Sequence, residues 1–150
     1  MNDYFEKILQ ADVYEVAKKT PLEKAHNLSN TLNNEVFLKR EDLQDVFSFK
    51  IRGAYNKMSK LSNSQLAQGV ITSSAGNHAQ GVALSALKLN CQATILMPIT
   101  TPLVKVNAVK NLKAKVILYG DNYDETYKEA VRISQESCLL YTSPSPRDPL

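Results

Sequence analysis

Two stretches hold the residues of this chain best suited to chemistry. The first, "DVFSFKIRGAYNKM" at 45–58, sets Lys50 among Phe47, Phe49 and Ile51 where a helix is expected to begin. The positive end of a helix dipole, the nearby Arg52 and the flanking aromatics would each favour a neutral amine at Lys50. A neutral amine is what imine formation with a carbonyl requires. A solvent-facing lysine on an ordinary amphipathic helix fits the same residues, and most helical lysines do nothing chemical.

The second stretch is "SSAGNHAQG" at 73–81, a turn from strand to helix. In an open parallel sheet, ligands bind beyond the carboxyl ends of the strands. A helix N-terminus there offers unpaired N–H groups and a positive dipole end to an anion. Gly76 allows close backbone approach, and Asn77 and His78 supply side-chain donors. The competing reading is a tight turn in which Ser74 or Asn77 caps the helix. Nucleotide motifs fail here. Gly76 and Gly81 fit GxxxxG, but Val82 and Ala83 follow where a P-loop needs Lys and Ser or Thr. No GxGxxG occurs, and no two of the five glycines lie closer than five positions.

The elements that must position these residues follow from pattern. Phe5, Ile8, Leu9, Val13 and Val16 recur at near-helical spacing, predicting one or two short helices that end at Thr20-Pro21. Leu28 and Leu32 suggest a further helical turn. Strands are expected at 35–41, 69–75, 93–98 and 114–120. Helices are expected from the Ser48 cap to about 61, over 77–89, from Pro102 to about 112, and after a cap at Asp121 or Asn122. Strands alternating with helices of this length predict an α/β fold, an open parallel sheet with flanking helices.

Bulk properties narrow the function classes. At 150 residues, 43% hydrophobic and 22% charged, the composition is that of an ordinary globular domain. The net charge is +3 with scattered lysines and no run of like charges, which speaks against a nucleic-acid partner. Cys91 and Cys138 have no CxxC spacing, so neither a zinc site nor a disulfide framework is expected, and no metal is assigned. The charged N-terminus and the lack of a long apolar run predict no secretory signal, no membrane span and a cytoplasmic setting.

Together, "LKREDLQDVFSFKIRGAYNKM" and "SAGNHAQGVALSA" resemble the threonine dehydratases, fold-type II pyridoxal phosphate enzymes. "TPLEKA" and "MPITTPLVKVNAVKNLKAKVILYGDNYDE" extend the likeness over roughly 13–136, and "KREDLQDVFSFK" is more similar to the biosynthetic branch. The resemblance implies a pyridoxal 5'-phosphate cofactor, with Lys50 as the lysine that binds it covalently and later moves the proton at Cα. It implies that Phe49 packs on the cofactor ring and that Asn77 hydrogen-bonds its phenolic oxygen. Ser74, Ala75, Gly76, Asn77 and His78 would be the loop receiving the substrate carboxylate. Ala75 stands where related serine racemases often carry a second serine, which leans toward elimination. The implied reaction converts L-threonine to 2-oxobutanoate and ammonia, the first step of isoleucine biosynthesis. L-serine is a second candidate substrate, and the full-length protein is expected to be a homo-oligomer. Two readings stay beside this one: a serine racemase/dehydratase or other fold-type II enzyme, and a non-catalytic α/β ligand-binding domain.

The family's glycine-rich phosphate loop, its partner for the pyridine nitrogen and its regulatory domain have no counterpart in the sequence. Residues 1–137 are therefore expected to be the N-terminal portion of a catalytic domain, with about 54–137 a smaller α/β subdomain, and to be inactive alone. In "CLLYTSPSPRDPL" (138–150) the α/β rhythm stops. "CLLYTSPSPRD" resembles translated sequencing-adapter read-through, so a non-native or disordered tail is expected there.

Overall fold

Strands buried on both faces are rich in apolar residues, and their residues sort by alternation. The computed structural model of the chain describes residues 2–142. Helix α1 (Asn2–Leu9) precedes an antiparallel ribbon of β1 (Leu22–Lys24) and β2 (Phe37–Lys39), joined through α2 (His26–Leu32). Then come α3 (Lys50–Met58), α4 (Asn63–Gln68), β3 (Val70–Ser73), α5 (Asn77–Lys88), β4 (Ala93–Met97), α6 (Leu103–Asn111), β5 (Lys115–Leu118), α7 (Tyr123–Glu136) and β6 (Leu140–Tyr141).

The parallel sheet has the order β5-β4-β3-β6. Val70, Ile95 and Met97 point to one face, where they pack with Met58, Val82, Val106 and Val109 from α3, α5 and α6. Ile71 and Leu96 point to the other, against Ala130 of α7. Each such fully buried side chain contributes about 1.5–3 kcal/mol. The chain steps outward from β3 to β4 to β5, then returns under α7 to place β6 on the far side of β3. The strand order thus reverses between β3 and β6, and the carboxyl end of β3 opens onto that reversal.

Several sequence expectations are corrected. The strand expected at 35–41 is only Phe37–Lys39, and it pairs with β1, which the sequence reading missed, rather than joining the parallel sheet. All three of its residues are exposed, so it has no face to bury between helix layers. The helix from Ser48 ends at Met58, and a separate helix, α4, follows on its own capping box of Ser62 and Gln65.

The rhythm also continues past 138. Leu140 and Tyr141 pair in parallel with Val70 and Ile71, and the Thr142 N–H donates to the Ile71 carbonyl at 2.8 Å. The physical reason is that β3 has an unpaired edge there, and Leu139 and Tyr141 complete the apolar cluster on the α7 face. Within the stretch expected to be a non-native or disordered tail, residues 140–142 thus lie paired along β3. Residues 143–150, with Pro144, Pro146 and Pro149, lie outside the described residues.

Candidate active site

Helix α3 shows why Lys50 sits where it does. Ile51, Ala54, Tyr55 and Met58 are its buried residues, one stripe at helical spacing. Lys50 precedes that stripe and is half-buried. Ser48 is buried, and its Oγ accepts the Lys50 N–H at 3.2 Å. This is a local turn bond before the helix: the cap position falls at Phe49, which has helical dihedrals and no side-chain cap, and not at Ser48 as the sequence suggested. Phe47, in the turn before it, has φ +54°, in the left-handed region that a bulky side chain adopts only under strain.

Two supports expected around Lys50 differ in the structure. Phe47 and Phe49 are exposed and do not bury the amine, although Lys50 Nζ lies 5.5 Å from the Phe49 ring centroid. The Arg52 charge is answered by Glu41 through two bonds of 2.9 Å, and Arg52 also donates to the Lys18 carbonyl at 3.0 Å. Arg52, followed by the Thr20 hydroxyl, holds the Glu41 carboxyl down to about 2, against the desolvation of its site. The Tyr55 hydroxyl donates to Glu15, and that bond, with burial, pushes Tyr55 up to about 12. These contacts fasten the N-terminal segment onto the helix that carries Lys50.

The loop at the end of β3 forms the second half. Ser74 N–H donates to the Leu96 carbonyl at 3.0 Å, which anchors the loop on β4. Ser74 Oγ accepts the Gly76 N–H at 3.3 Å, and among the described residues no side chain caps the first turn of α5. The capping alternative thus fails for Asn77, and holds for Ser74 only as a local turn. The N–H groups of that first turn thus lack a side-chain cap, the condition for an anion site at a helix N-terminus. Gly76 is extended, a conformation open to any residue, and a Cβ there would meet no protein atom within 4 Å. Asn77 is exposed at the helix start. His78 differs from expectation: its ring is buried and its Nε2 lies 3.4 Å from the Thr142 carbonyl. Its imidazole packs toward β6, which leaves its main chain as its part of the loop.

The structure brings the two halves together. Helix α3 packs along α5 more extensively than any other pair of elements. At Gly81, four residues beyond Asn77 or about 6 Å along the helix, the α5 backbone comes close to that of Lys50 and Ile51. Sequence reasoning met Gly81 only as part of a failed nucleotide motif. Its signal was a glycine inside a helix, which costs about 1 kcal/mol relative to alanine.

The donor set suits pyridoxal phosphate in part. It offers an amine at a helix start, an exposed aromatic ring beside it, an exposed amide at Asn77, and an uncapped helix N-terminus with open space above Gly76. None of the five glycines forms a phosphate cradle among the described residues: Gly53 lies mid-helix, while Gly69 and Gly120 turn into Gln92 and Glu125.

A sequence profile described as pyridoxal-phosphate dependent enzyme matches residues 13–149. The chain belongs to this family. It is 55% identical over 142 residues to the biosynthetic, chloroplastic threonine dehydratase of Arabidopsis thaliana, covering 95% of this chain and 24% of that protein. It is 47% identical over 142 residues to the biosynthetic L-threonine dehydratase of Escherichia coli, covering 95% of this chain and 28% of that protein. The chain thus spans about a quarter of the length of these pyridoxal-phosphate dependent relatives. Among solved structures, the processed threonine deaminase isoform 2 of Solanum lycopersicum superposes with a TM-score of 0.91 at 52% identity, over 95% of this chain and 39% of that one. The fold of this pyridoxal-phosphate dependent enzyme chain is the expected α/β arrangement, an open parallel sheet flanked by helices. Among the described residues no helix is long and apolar enough to cross a membrane.

Proposed function

We propose that the chain carries the lysine and carboxylate-loop portion of a biosynthetic threonine dehydratase, acting on L-threonine to give 2-oxobutanoate and ammonia. The observation that carries this reading is the backbone contact between the first turn of α3, which bears Lys50, and α5, whose uncapped N-terminus receives the loop. Pyridoxal phosphate, when bound, supplies the electron sink that lets the Cα–H bond of an amino acid break.

The chain's own residues supply the rest. The Lys50 amine holds the cofactor and takes the proton from Cα. Phe49 covers the ring, and the Asn77 amide donates to the phenolic oxygen. The first-turn N–H groups of α5 and the Ser74 hydroxyl orient the substrate carboxylate, fixing the Cα–H bond toward Lys50. Departure of the β-hydroxyl as water and hydrolytic return of one water leave 2-oxobutanoate and ammonia, so the atoms balance. Ala75 places a methyl group where a second hydroxyl would offer another proton donor, which favours elimination over racemisation.

Two features of setting complete the reading. Both cysteines are free thiols, which supports a reducing, cytoplasm-like compartment. The full-length protein is proposed to assemble as a homo-oligomer. The test is product analysis in protein made at the length of its relatives: 2-oxobutanoate from L-threonine is expected. D-serine from L-serine, with no 2-oxobutanoate, would replace this reading by the serine racemase one.

A further inference from the structure

We infer that Gly81 is a positioning residue for Lys50, an assignment that rests on the role proposed for that lysine. A Cβ at position 81 would stand 3.1 Å from both the carbonyl carbon and oxygen of Lys50 and 3.3 Å from the Ile51 nitrogen. All three are main-chain atoms in the first turn of α3, so none can swing aside as a side-chain tip could. Any side chain at 81 must part the two helices by a few tenths of an ångström.

The separation cannot spread evenly. Helix α3 is fixed along its length by Ile51, Ala54 and Met58 in the core and by the Arg52–Glu41 pair. On the α5 side, the buried Ser85 hydroxyl donates to the Gly81 carbonyl at 2.7 Å and ties that turn to the next. The displacement is pressed onto the main chain of Lys50 itself, whose carbonyl carbon and oxygen are the nearest atoms to a Cβ at 81. It changes the place of the Lys50 amine relative to Asn77, one turn before Gly81 on the same helix. Glycine at 81 keeps the two halves of the site in register, and that function explains a residue that costs the helix about 1 kcal/mol.

Gly53 provides a matched control. It lies on α3 itself, yet a Cβ there meets nothing within 4 Å. The experiment compares the parent chain with Gly81→Ala, Gly53→Ala and Ser85→Ala. Each is incubated with pyridoxal phosphate over pH 6–10, reduced with borohydride, and mapped by peptide mass spectrometry. The readout is the labelling of Lys50 relative to the exposed Lys60, alongside a thermal melt.

Gly53→Ala is expected to label as the parent does. Gly81→Ala is expected to lower the Lys50-to-Lys60 ratio about tenfold and to displace its pH profile, because small misplacements of a reacting group are costly. Equal ratios and profiles in the parent and a folded Gly81→Ala, with only a lower melting temperature, would overturn the inference and leave the proposed function standing. No preference for Lys50 in the parent would overturn both. If Gly81→Ala does not fold at room temperature, labelling is read in the cold with a stabilising osmolyte, where a lowered ratio supports the inference and an unchanged ratio overturns it; Ser85→Ala, which keeps Gly81, is expected to label as the parent does.

Discussion

Arg52 grips Glu41 in a fork, Nε to Oε2 and Nη2 to Oε1, each at 2.9 Å, and so joins the helix of Lys50 to the segment that follows β2. Both side chains are largely buried, Arg52 at 23% and Glu41 at 14% exposure. The Glu41 carboxyl is held down to about 2, chiefly by Arg52, so its folded-state value lies below its unfolded one. Its contribution is therefore fully present above the unfolded value and is lost as pH falls through the folded one. Glu41→Gln should cost about 1–3 kcal/mol at pH 7, allowing for solvent screening. In thermal melts from pH 7 to 2, the gap between parent and variant should close with acid. A constant gap would show that the charge does not matter.

Gly76→Ala should separate folding from binding. The extended backbone accepts alanine, a Cβ meets no protein atom, and the loss of chain entropy in the unfolded state favours the variant by about 0.4–1 kcal/mol. The added methyl nevertheless stands over the N–H groups proposed to take the carboxylate. We expect an unchanged or higher melting temperature together with weaker amide shifts at Asn77, His78 and Ala79 when L-threonine is titrated by NMR. Undiminished shifts would move the carboxylate site elsewhere.

Phe47 holds its left-handed conformation with an exposed ring, so little packing repays the strain. Asparagine tolerates that region and a β-branched residue does not. Phe47→Asn should be neutral or stabilising in urea denaturation, and Phe47→Val should destabilise by about 1–2 kcal/mol. The reverse order would mean that the ring is held by contacts the isolated chain makes in solution.

Residues 140–142 test the far edge of the sheet. The buried Thr72 hydroxyl donates to the Thr142 carbonyl at 2.8 Å, and the Thr142 hydroxyl lies 3.3 Å from the Ile71 carbonyl. Amide exchange at Leu140 and Thr142 should be slowed well below the rate of an open chain, and Thr72→Val should restore much of that rate. Exchange at the open-chain rate in the parent would show that these residues do not dock beside β3.

The inner strands were legible because burial on both faces leaves mostly apolar residues, as in Ala93–Met97, where Thr94 is the one polar residue, while Val70–Ser73 is half apolar. β1 was not, since three exposed residues that find one partner across the ribbon carry no periodicity. Helix α4 was missed although Ser62 and Gln65 spell its capping box in plain sequence. Lys50, Phe49 and Asn77 emerged only when two stretches were read together. The inward turn of His78 and the contact of Gly81 with Lys50 depend on how α3 meets α5, which no local pattern records. The Arg52–Glu41 fork was hidden for the same reason.

The role of Lys50 is open to direct test by covalent capture of pyridoxal phosphate. The chain is incubated with the cofactor, reduced with borohydride and digested, and the modified peptide is sequenced by mass spectrometry. The label is expected to fall preferentially on Lys50, within "DVFSFKIRGAYNKM", and Lys50→Ala to remove it while leaving the fold unchanged. A label spread evenly over the exposed lysines, or concentrated on another one, would contradict that role.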